Sequence, residues 1–190
     1  MKTTTTPVSD RDALTAAMNS GWRPRWLFFW GHTAAKDGST TKACFSQWWS
    51  EHAFVVDGVT YRTAEHYIMA GKARLFGDEE TLARILAASH PNEAKVLGRQ
   101  VKNFSEKAWL TARSDIVVRG NEAKFGQHAE LKDLLLNTGD RVLVEASPYD
   151  RVWGIGMAAT EAHAENPREW KGLNLLGFAL MEVRHRLSKI

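Results

Sequence analysis

The sequence predicts an α+β fold in which helices dominate and a few short strands complete a single domain. Three observations lead to this class. Two short apolar runs, Trp26–Trp30 and Val142–Ala146, have the length of buried strands. The dipeptide Asp57-Gly58 separates two further strand-like runs, which is a strong hairpin signal. From Thr63 onwards, helix caps and helical spacing of apolar residues recur, and 190 residues suffice for one domain with a substantial core.

The N-terminal residues differ in composition from the rest of the chain. Residues 1–8 contain four consecutive threonines and a proline, which is typical of a flexible tail. Ser9 is suitable as the cap of a short helix. We therefore expect a tail and a short helix in residues 1–20 and the folded domain in residues 21–190. The four predicted strands are Trp26–Trp30, Ala53–Val56, Val59–Tyr61 and Val142–Ala146.

Caps and breakers set the expected bounds of the helices. Gly120–Phe125 is interpreted as a helix break, and Ser147–Met157 as a loop punctuated by glycine and proline. The predicted helices run from Ser9 to Met18, from Thr63 to just before Gly77, from Asp78 to about Ser89, briefly from Pro91, from Ser105 to Val118, from Ala129 to Asn137, and from Leu175 to Leu187.

The composition excludes several classes of function. The net charge of +3 is only mildly basic and no dense Lys/Arg cluster occurs, so a broad nucleic-acid surface is not required. Cys44 is the only cysteine, which excludes an internal disulfide framework. No apolar run approaches the length of a membrane span, and we expect a cytoplasmic protein without membrane partners. The eight tryptophans are enough to fill a core and also to line a ligand pocket.

The most informative segment is the predicted helix that begins after Thr63. Glu65 and Lys72 are seven residues apart, so two helical turns bring them to nearly the same face, roughly 10 Å apart along the axis. A carboxyl and an amine that converge in one pocket suit chemistry at a sugar C1, because the acid moves protons and the amine attacks an aldehyde-level carbon. The alternative is a solvent-facing ion pair of little energetic weight.

Two other segments contain candidate site residues. The loop from Glu145 to Gly156 offers two carboxylates, Glu145 and Asp150, an aromatic wall in Trp153, and glycines that permit a close backbone approach, among them Gly154. A tightly turned structural loop is the alternative. Asn174 precedes the last helix, either as its N-cap or with its amide in a pocket.

Arg99 is a candidate for a bidentate phosphate contact, with an exposed arginine as the alternative. Metal dependence is not expected, because none of the seven histidines forms the paired spacing of a helical zinc site. Ser147 lacks the frame of a nucleophile elbow, so a hydrolase triad has little support. No cofactor is expected.

Several segments in this order resemble the NADAR family, also called YbiA-like. The resemblance extends from about Trp26 to the C-terminus. It departs at Phe45-Ser46-Gln47-Trp48, where the family more often has Phe-Ser-Asn-Phe, and this departure concerns a polar contact near the expected pocket mouth. The matching pieces are Asp57–Tyr61, Thr63–Tyr67, Lys72-Ala73, Ala94–Arg99, Ala123–Phe125, Leu134–Gly139, Leu143–Glu145, Asp150 with Trp153–Gly156, and Asn174–Gly177.

The resemblance implies a YbiA-like fold and N-glycosidase activity on ribosylamino-pyrimidine 5′-phosphates, which are early riboflavin-pathway intermediates. It implies that Glu65 acts as acid and base, that Lys72 captures C1 as a Schiff base, and that Asp150 assists. A variant in which Glu65 and a second carboxylate hydrolyse the bond directly stays open. The implied substrate-binding residues are Tyr67, Arg99, Trp109, Glu145, Trp153, Gly154 and Asn174.

Three alternatives stay open. Other members of the family remove ADP-ribose from guanine in nucleic acid, which would make nucleic acid a partner. A non-catalytic module that binds NAD or ADP-ribose would use the same pocket without releasing a base. In a structural or interaction protein, the tryptophans would all belong to the core. The sequence does not give an oligomeric state.

Overall fold

A computed structural model describes residues 8–190 of the chain. The predicted tail, residues 1–8, lies outside the described residues except for Val8. Seven α-helices and four short β-strands occur within residues 8–190, which confirms the α+β class and its mostly helical character. Within the same range, none of the helices combines the length and the apolar content that spanning a bilayer requires.

The elements alternate irregularly along the chain, with most of the helices in its middle third. Two short 3-10 turns, Lys42–Phe45 and Pro167–Glu169, were not predicted. In chain order the regular elements are α1 (Arg11–Asn19), β1 (Trp26–Phe29), β2 (Phe54–Val56), β3 (Val59–Tyr61), α2 (Ala64–Leu75), α3 (Glu79–Ala87), α4 (Pro91–Gly98), α5 (Glu106–Gln127), α6 (Ala129–Leu136), β4 (Val142–Glu145) and α7 (Leu175–Leu187).

The chain divides into two compact units, and its two boundaries fall between Gly31 and His32 and within α6. We call residues 32–131 the contiguous unit. The remaining described residues, 8–31 and 132–190, form the discontinuous unit. Each unit is described by itself below.

The discontinuous unit is built on a two-stranded parallel sheet. β1 pairs with β4 so that Trp26 lies opposite Val142 and Phe29 opposite Glu145. α7 packs against β4, and this close packing requires a glycine. A Cβ atom at Gly177 would lie 2.1 Å from the carbonyl oxygen of Leu143, which no side chain tolerates. The small residue at this position therefore fixes how closely the helix approaches the strand.

The contiguous unit is organised around α2, which packs against α3, α4 and α5. Its core contains the buried faces of these helices together with the hairpin residues Phe54 and Tyr61. Two glycines permit close helix contacts: a Cβ at Gly98 would meet the sulfur of Met69 at 2.1 Å, and one at Gly120 would meet the ring of Tyr67 at 2.4 Å. α2 is consequently buried along most of its length.

The predicted hairpin is confirmed. β2 and β3 are antiparallel, and both turn residues have positive φ, 51° for Asp57 and 77° for Gly58. Such angles are those of a type I′ turn, which matches the twist of the flanking strands. Arg119 donates two hydrogen bonds of 2.8 Å to the carboxylate of Asp57, an exposed ion pair of small energetic weight.

The predicted break at Gly120–Phe125 is wrong. α5 continues without interruption from Glu106 to Gln127. Gly120 is not a breaker here, because its missing side chain makes room for Tyr67. The polar residues that follow it point inward and are bonded, as described below for Asn121 and Lys124.

Other predicted bounds agree within a few residues. α7 has the predicted bounds, Leu175 to Leu187. α1 is capped by Asp10 instead of Ser9, since the Asp10 side chain accepts a hydrogen bond of 2.8 Å from the Ala13 N–H. β1 ends at Phe29, and Trp30, expected to be buried, is 56% exposed.

Candidate active site

Glu65 lies in the first turn of α2, where the positive end of the helix dipole favours a carboxylate. Thr63 caps this turn by accepting a hydrogen bond from the His66 N–H at 3.3 Å. The backbone N–H of Glu65 donates to the carbonyl of Gln47 at 2.9 Å. Only 8% of Glu65 is exposed. The residue therefore belongs to the interior of the contiguous unit and is not a solvent-facing charge.

Lys72 lies two turns further along α2 and is half-buried. Its Nζ donates a hydrogen bond of 2.7 Å to the carbonyl of Gly98. The same atom lies 4.3 Å from the ring centre of Phe104 and 5.7 Å from that of Trp109. Burial lowers the pKa of Lys72 below its usual 10.5, because leaving water penalises the charged form. The structure thus brings Trp109, one of the predicted binding residues, next to a partly desolvated amine.

The helical spacing determines how the side chains of Glu65 and Lys72 are placed relative to each other. Seven residues of α-helix return a side chain to nearly the same face and advance it by roughly 10 Å. Glu65 and Lys72 therefore emerge from one face of α2, and neither extends into bulk solvent. Acid–base and nucleophilic catalysis at an electrophilic carbon require two groups. One is a carboxyl that moves protons, and the other is an amine whose neutral form is more populated than usual.

In the discontinuous unit, the loop after β4 is held by its own backbone and by Asp150. The Oδ1 atom of Asp150 accepts hydrogen bonds of 2.8 Å from the N–H groups of Val152 and Trp153. The described bonds of this carboxylate use Oδ1 alone. The carbonyl of Glu145 accepts from the Ile155 N–H at 2.9 Å. These bonds fix the loop tightly and give Asp150 a structural task.

Gly154 and Gly172 permit a close approach of backbone to backbone. A Cβ on Gly154 would lie 2.9 Å from the carbonyl oxygen of Glu145, and one on Gly172 would lie 2.3 Å from that of Gly154. The absence of a side chain at Gly154 is thus explained by tight packing inside the loop. A close approach of a ligand to this glycine stays a prediction. Trp153 is half-buried beside it, and the Oε2 atom of Glu145 is buried.

Asn174 is fully buried and adopts a left-handed conformation with φ of 56°. Its side chain does not cap α7. Instead, the amide donates to the carbonyl of Leu143 at 3.0 Å and accepts from the Glu145 N–H at 2.9 Å. Both ends of this amide therefore bind the backbone of β4, which places the side chain between the strand and the start of α7.

The N-terminal N–H groups of α7 are also occupied. Those of Asn174, Leu175 and Leu176 donate to three successive loop carbonyls, of Gly154, Val152 and Trp153, at 3.1–3.3 Å. An anion site at the start of α7, expected as one alternative from the sequence, would have to displace these bonds. The loop carbonyls therefore occupy the N–H groups that an anion would otherwise bind.

Tyr67 lies in the core of the contiguous unit, and Arg99 lies at its surface. Tyr67 is 6% exposed, and its ring packs edge-on against that of Tyr61 with centres 4.9 Å apart, inside the core of the contiguous unit. Burial raises the pKa of Tyr67. Arg99 is exposed and ends α4, where its backbone N–H closes the last turn.

The structure reveals a buried polar network that the sequence did not predict. Lys124 is completely buried, and its Nζ donates to the carbonyls of Cys44 at 2.6 Å and Ser46 at 2.9 Å. The amide groups of Gln47 and Asn121 bond each other at 3.0 and 3.1 Å. Burial lowers the pKa of Lys124 to about 7. The network holds the segment that accepts the Glu65 N–H.

A cavity of about 330 Å³ opens in the contiguous unit at the N-terminal ends of α2 and α4. Its wall is polar and aromatic. None of its side chains was predicted as a site residue, because they come from segments far apart in the sequence. The lining residues are His32, Trp48, Ser50, Ala53, Arg62, Thr63, Ser89, His90 and Pro91.

Among the described residues, no three His, Cys, Asp or Glu side chains are grouped closely enough to hold a metal ion. Cys44 is buried, and burial raises the pKa of its thiol to about 11, so it is a poor nucleophile at neutral pH.

A buried acid and a partly desolvated amine lie on one helix, and acid–base and nucleophilic catalysis use groups of these kinds. Several known proteins are similar to this chain. A NADAR domain profile matches residues 28–188. The chain is 40% identical over 164 residues to N-glycosidase R617 of Acanthamoeba polyphaga mimivirus, covering 84% of this chain and 95% of the relative. It is 38% identical over 133 residues to N-glycosidase YbiA of Escherichia coli, covering 70% and 74% respectively.

The fold agrees as well. The NMR structure of the Escherichia coli protein YbiA aligns with a TM-score of 0.67 at 30% identity, covering 88% of each chain. The chain belongs to the NADAR family, which confirms the resemblance described from the sequence. Its relatives' names support placing it among the glycosidases that hydrolyse N-glycosyl bonds.

Proposed function

We propose that this chain hydrolyses the N-glycosidic bond of a phosphorylated ribosylamine-type substrate, such as the ribosylamino-pyrimidine 5′-phosphates of early riboflavin biosynthesis. The observation that carries the proposal is the pairing on α2 of a buried carboxyl, Glu65, with a half-buried amine, Lys72, whose pKa is lowered. An aminal carbon of this substrate class opens to an imine, and an imine carbon is a suitable electrophile for an amine.

In the proposed reaction, the carboxylic acid of Glu65 protonates the ring oxygen or the leaving nitrogen. The neutral amine of Lys72 then attacks C1, the bond from C1 to the base nitrogen breaks, and the base leaves with a proton from Glu65. Nζ returns one proton to the Glu65 carboxylate, which passes it to the ring oxygen as the bond from C1 to that oxygen breaks. A Schiff base between Nζ and C1 results. Water activated by the Glu65 carboxylate adds to C1, which releases the ribose phosphate and regenerates the amine of Lys72.

The surroundings of Lys72 support this role. A neutral amine keeps its lone pair when it donates one hydrogen to the Gly98 carbonyl, so the 2.7 Å bond positions the nucleophile without consuming it. Trp109 and Phe104 border the amine and offer a flat apolar surface for the base or ribose. The low polarity of this border also favours the neutral form of the amine.

The roles of Trp153 as a wall and of Asp150 in orienting a hydroxyl or assisting the water stay predictions from the family resemblance. Asn174 and Gly154 help to hold the loop after β4 in shape, since the Asn174 amide bonds the backbone of β4 and Gly154 packs against the Glu145 carbonyl. The assignment of Glu145 to substrate binding stays a prediction. The assignment of phosphate to Arg99 stays a prediction.

The test is incubation with ribosylamino-pyrimidine 5′-phosphates and chromatography with mass analysis of the released base and ribose phosphate. We expect Glu65→Gln and Lys72→Met each to lower the rate at least 100-fold while the far-UV circular dichroism stays unchanged. Lys107→Met, an exposed lysine on α5, is the matched control and should keep the wild-type rate. Wild-type activity in both site variants would contradict the proposal.

Covalent capture has its own test. Borohydride reduction during turnover should fix a ribose phosphate adduct on the peptide that contains Lys72, and this adduct should be missing in Lys72→Met. If the wild type gives no adduct, covalent capture by Lys72 is excluded, and direct hydrolysis by Glu65 and a second carboxylate is the mechanism that stays open.

A second candidate is removal of ADP-ribose from guanine in nucleic acid. The cavity beside the start of α2 favours it, because Trp48 and Arg62 combine stacking and positive charge as single-strand binding requires. Mass analysis of ADP-ribosylated guanine oligonucleotides after incubation distinguishes this substrate from the free phosphates. Binding of either compound without cleavage would indicate a non-catalytic module.

A further inference from the structure

We propose that Gln47 and Asn121 are positioning residues for Glu65. Their side-chain amides bond each other, and this amide pair holds the Gln47 carbonyl at the backbone N–H of the proposed acid. The inference rests on the role proposed for Glu65, and it adds two residues that are not among the predicted site residues. All of the groups involved belong to the contiguous unit.

The first turn of α2 is held by a bond from another part of the chain. The first N–H groups of a helix have no partner within the helix. The Thr63 side chain accepts the N–H of His66 at 3.3 Å. The N–H of Glu65 donates instead to the carbonyl of Gln47 at 2.9 Å. The backbone from which the Glu65 carboxyl extends is therefore held by a residue outside α2.

The side chain of Gln47 is held in turn by that of Asn121. The Nε2 of Gln47 donates to the Oδ1 of Asn121 at 3.1 Å, and the Nδ2 of Asn121 donates to the Oε1 of Gln47 at 3.0 Å. Asn121 is fully buried, and Gln47 is 7% exposed. Separating the two amides would leave buried polar groups unsatisfied, which is costly because water does not replace the lost bonds. The two side chains are therefore expected to move together.

α5 sets the direction of both amides. The Nδ2 of Asn121 also donates to the carbonyl of Val117 at 2.8 Å. A carbonyl oxygen accepts and does not donate, so the NH₂ end of Asn121 must face Val117. The second hydrogen of this NH₂ bonds the Oε1 of Gln47. Both donors and the acceptor of Asn121 are consequently in use, and the amide pair has one orientation.

Lys124 fastens the same segment from the next turn of α5. Its Nζ donates to the carbonyls of Cys44 at 2.6 Å and Ser46 at 2.9 Å. Asn121 and Lys124 are three residues apart, so they lie on one face of the helix. The short segment that ends at Gln47 is therefore attached to α5 at three points.

α5 is itself packed closely against α2 beside the amide pair. A Cβ at Gly120 would lie 2.4 Å from the ring of Tyr67, so the two helices touch one residue before Asn121. A change in the amide pair therefore displaces Gln47 relative to Glu65 and is not absorbed by a movement of α5. A misplacement of about 1 Å can cost about 100-fold in rate.

Exchanging the two side chains tests the coupling. Gln47→Asn shortens one partner by a methylene, Asn121→Gln lengthens the other, and the double variant restores the combined length. On ribosylamino-pyrimidine 5′-phosphates we expect each single variant to lower kcat at least tenfold while KM stays within twofold, because Glu65 acts in the chemical step. The double variant should return to within threefold of the wild-type kcat. Gln100→Asn, an exposed glutamine shortened in the same way, is the matched control and should keep the wild-type rate.

Amide hydrogen exchange followed by NMR measures the positioning without turnover. The Glu65 N–H depends on the Gln47 carbonyl, whereas Ile68 lies buried in the body of α2. In each single variant the exchange rate of the Glu65 N–H should rise at least tenfold relative to that of Ile68. The double variant should restore the wild-type ratio. A merely structural role would accelerate both N–H groups by the same factor, because global unfolding exposes both.

The results separate this inference from the proposed hydrolysis. An unchanged exchange ratio in the single variants, or a double variant no better than either of them, would overturn the positioning role. A wild-type protein without turnover would contradict the hydrolysis, and the exchange ratio would still decide whether the amide pair positions Glu65.

Discussion

The completely buried amine of Lys124 makes the stability of the fold depend on pH in a direction that is opposite to ordinary alkaline denaturation. Its only described hydrogen-bond partners are the carbonyls of Cys44 and Ser46. A neutral amine has two N–H groups, so both carbonyls are satisfied without a charge. Burial accordingly lowers the pKa of Lys124 from its ordinary 10.5 to about 7.

The sign and size follow from proton binding. Between pH 7 and 10.5 the unfolded chain holds this proton and the folded chain releases it, so the free energy of unfolding rises with pH. One proton corresponds to about 1.4 kcal/mol per pH unit. With half of the folded amine neutral at pH 7, the gain between pH 7 and 9 is about 2 kcal/mol. Above pH 9 the raised pKa of Cys44 acts in the opposite direction.

The assay is urea unfolding followed by tryptophan fluorescence at pH 7, 8 and 9. In Lys124→Met both carbonyls lose the Nζ donor, and the Ser46 carbonyl keeps only its bond from the Trp49 N–H, so we expect a less stable protein at every pH. The diagnostic result is the change between pH 7 and 9. Over this range the free energy of unfolding of the wild type should rise by about 2 kcal/mol relative to that of the variant, which corresponds to about 1 M in urea midpoint. Lys107→Met should keep the wild-type pH dependence. Parallel stability curves for the wild type and Lys124→Met would refute the reasoning.

Three further substitutions test the packing, each by urea unfolding. Asn174→Ala should cost about 1–3 kcal/mol, because a buried N–H and a buried carbonyl of β4 lose their partner; an unchanged midpoint would contradict this. Gly120→Ala should cost about 1–3 kcal/mol by forcing the Tyr67 ring aside, whereas Gly126→Ala, exposed on the same helix, should not destabilise. Gly58→Ala should cost about 1 kcal/mol because φ is 77° there; full stability would exclude strain in the turn.

Elements whose signals are local were predictable. α7 has the predicted bounds because helical spacing of apolar residues and basic residues in its last turn all lie within the helix. The hairpin followed from Asp57-Gly58 alone. α5 was predicted too short because Gly120 and Asn121 look like breakers, and only their distant partners Tyr67 and Gln47 explain them.

The positions of the candidate site residues were predictable to the same extent, and their roles stay predictions. Helical spacing sufficed to place Glu65 and Lys72 on one face, since the period of a helix is fixed. The partners that desolvate Lys72, Gly98 and Phe104, come from other elements, and no spacing rule connects them to it. Asn174 was ambiguous because an N-cap and a bond to a distant strand need the same side chain, and only the fold shows that β4 receives its amide.

The parallel pairing of β1 with β4 affects how the chain is made. β1 leaves the ribosome at Phe29, and its partner begins only at Val142, after about 110 further residues. At a synthesis rate of about 5–20 residues per second, the first strand waits roughly 6–22 s for the second. Residues 32–131 are complete during this interval and contain β2, β3, the helices α2 to α5 and the first turn of α6. The ribosome therefore completes residues 32–131 before β1 and β4 are able to pair.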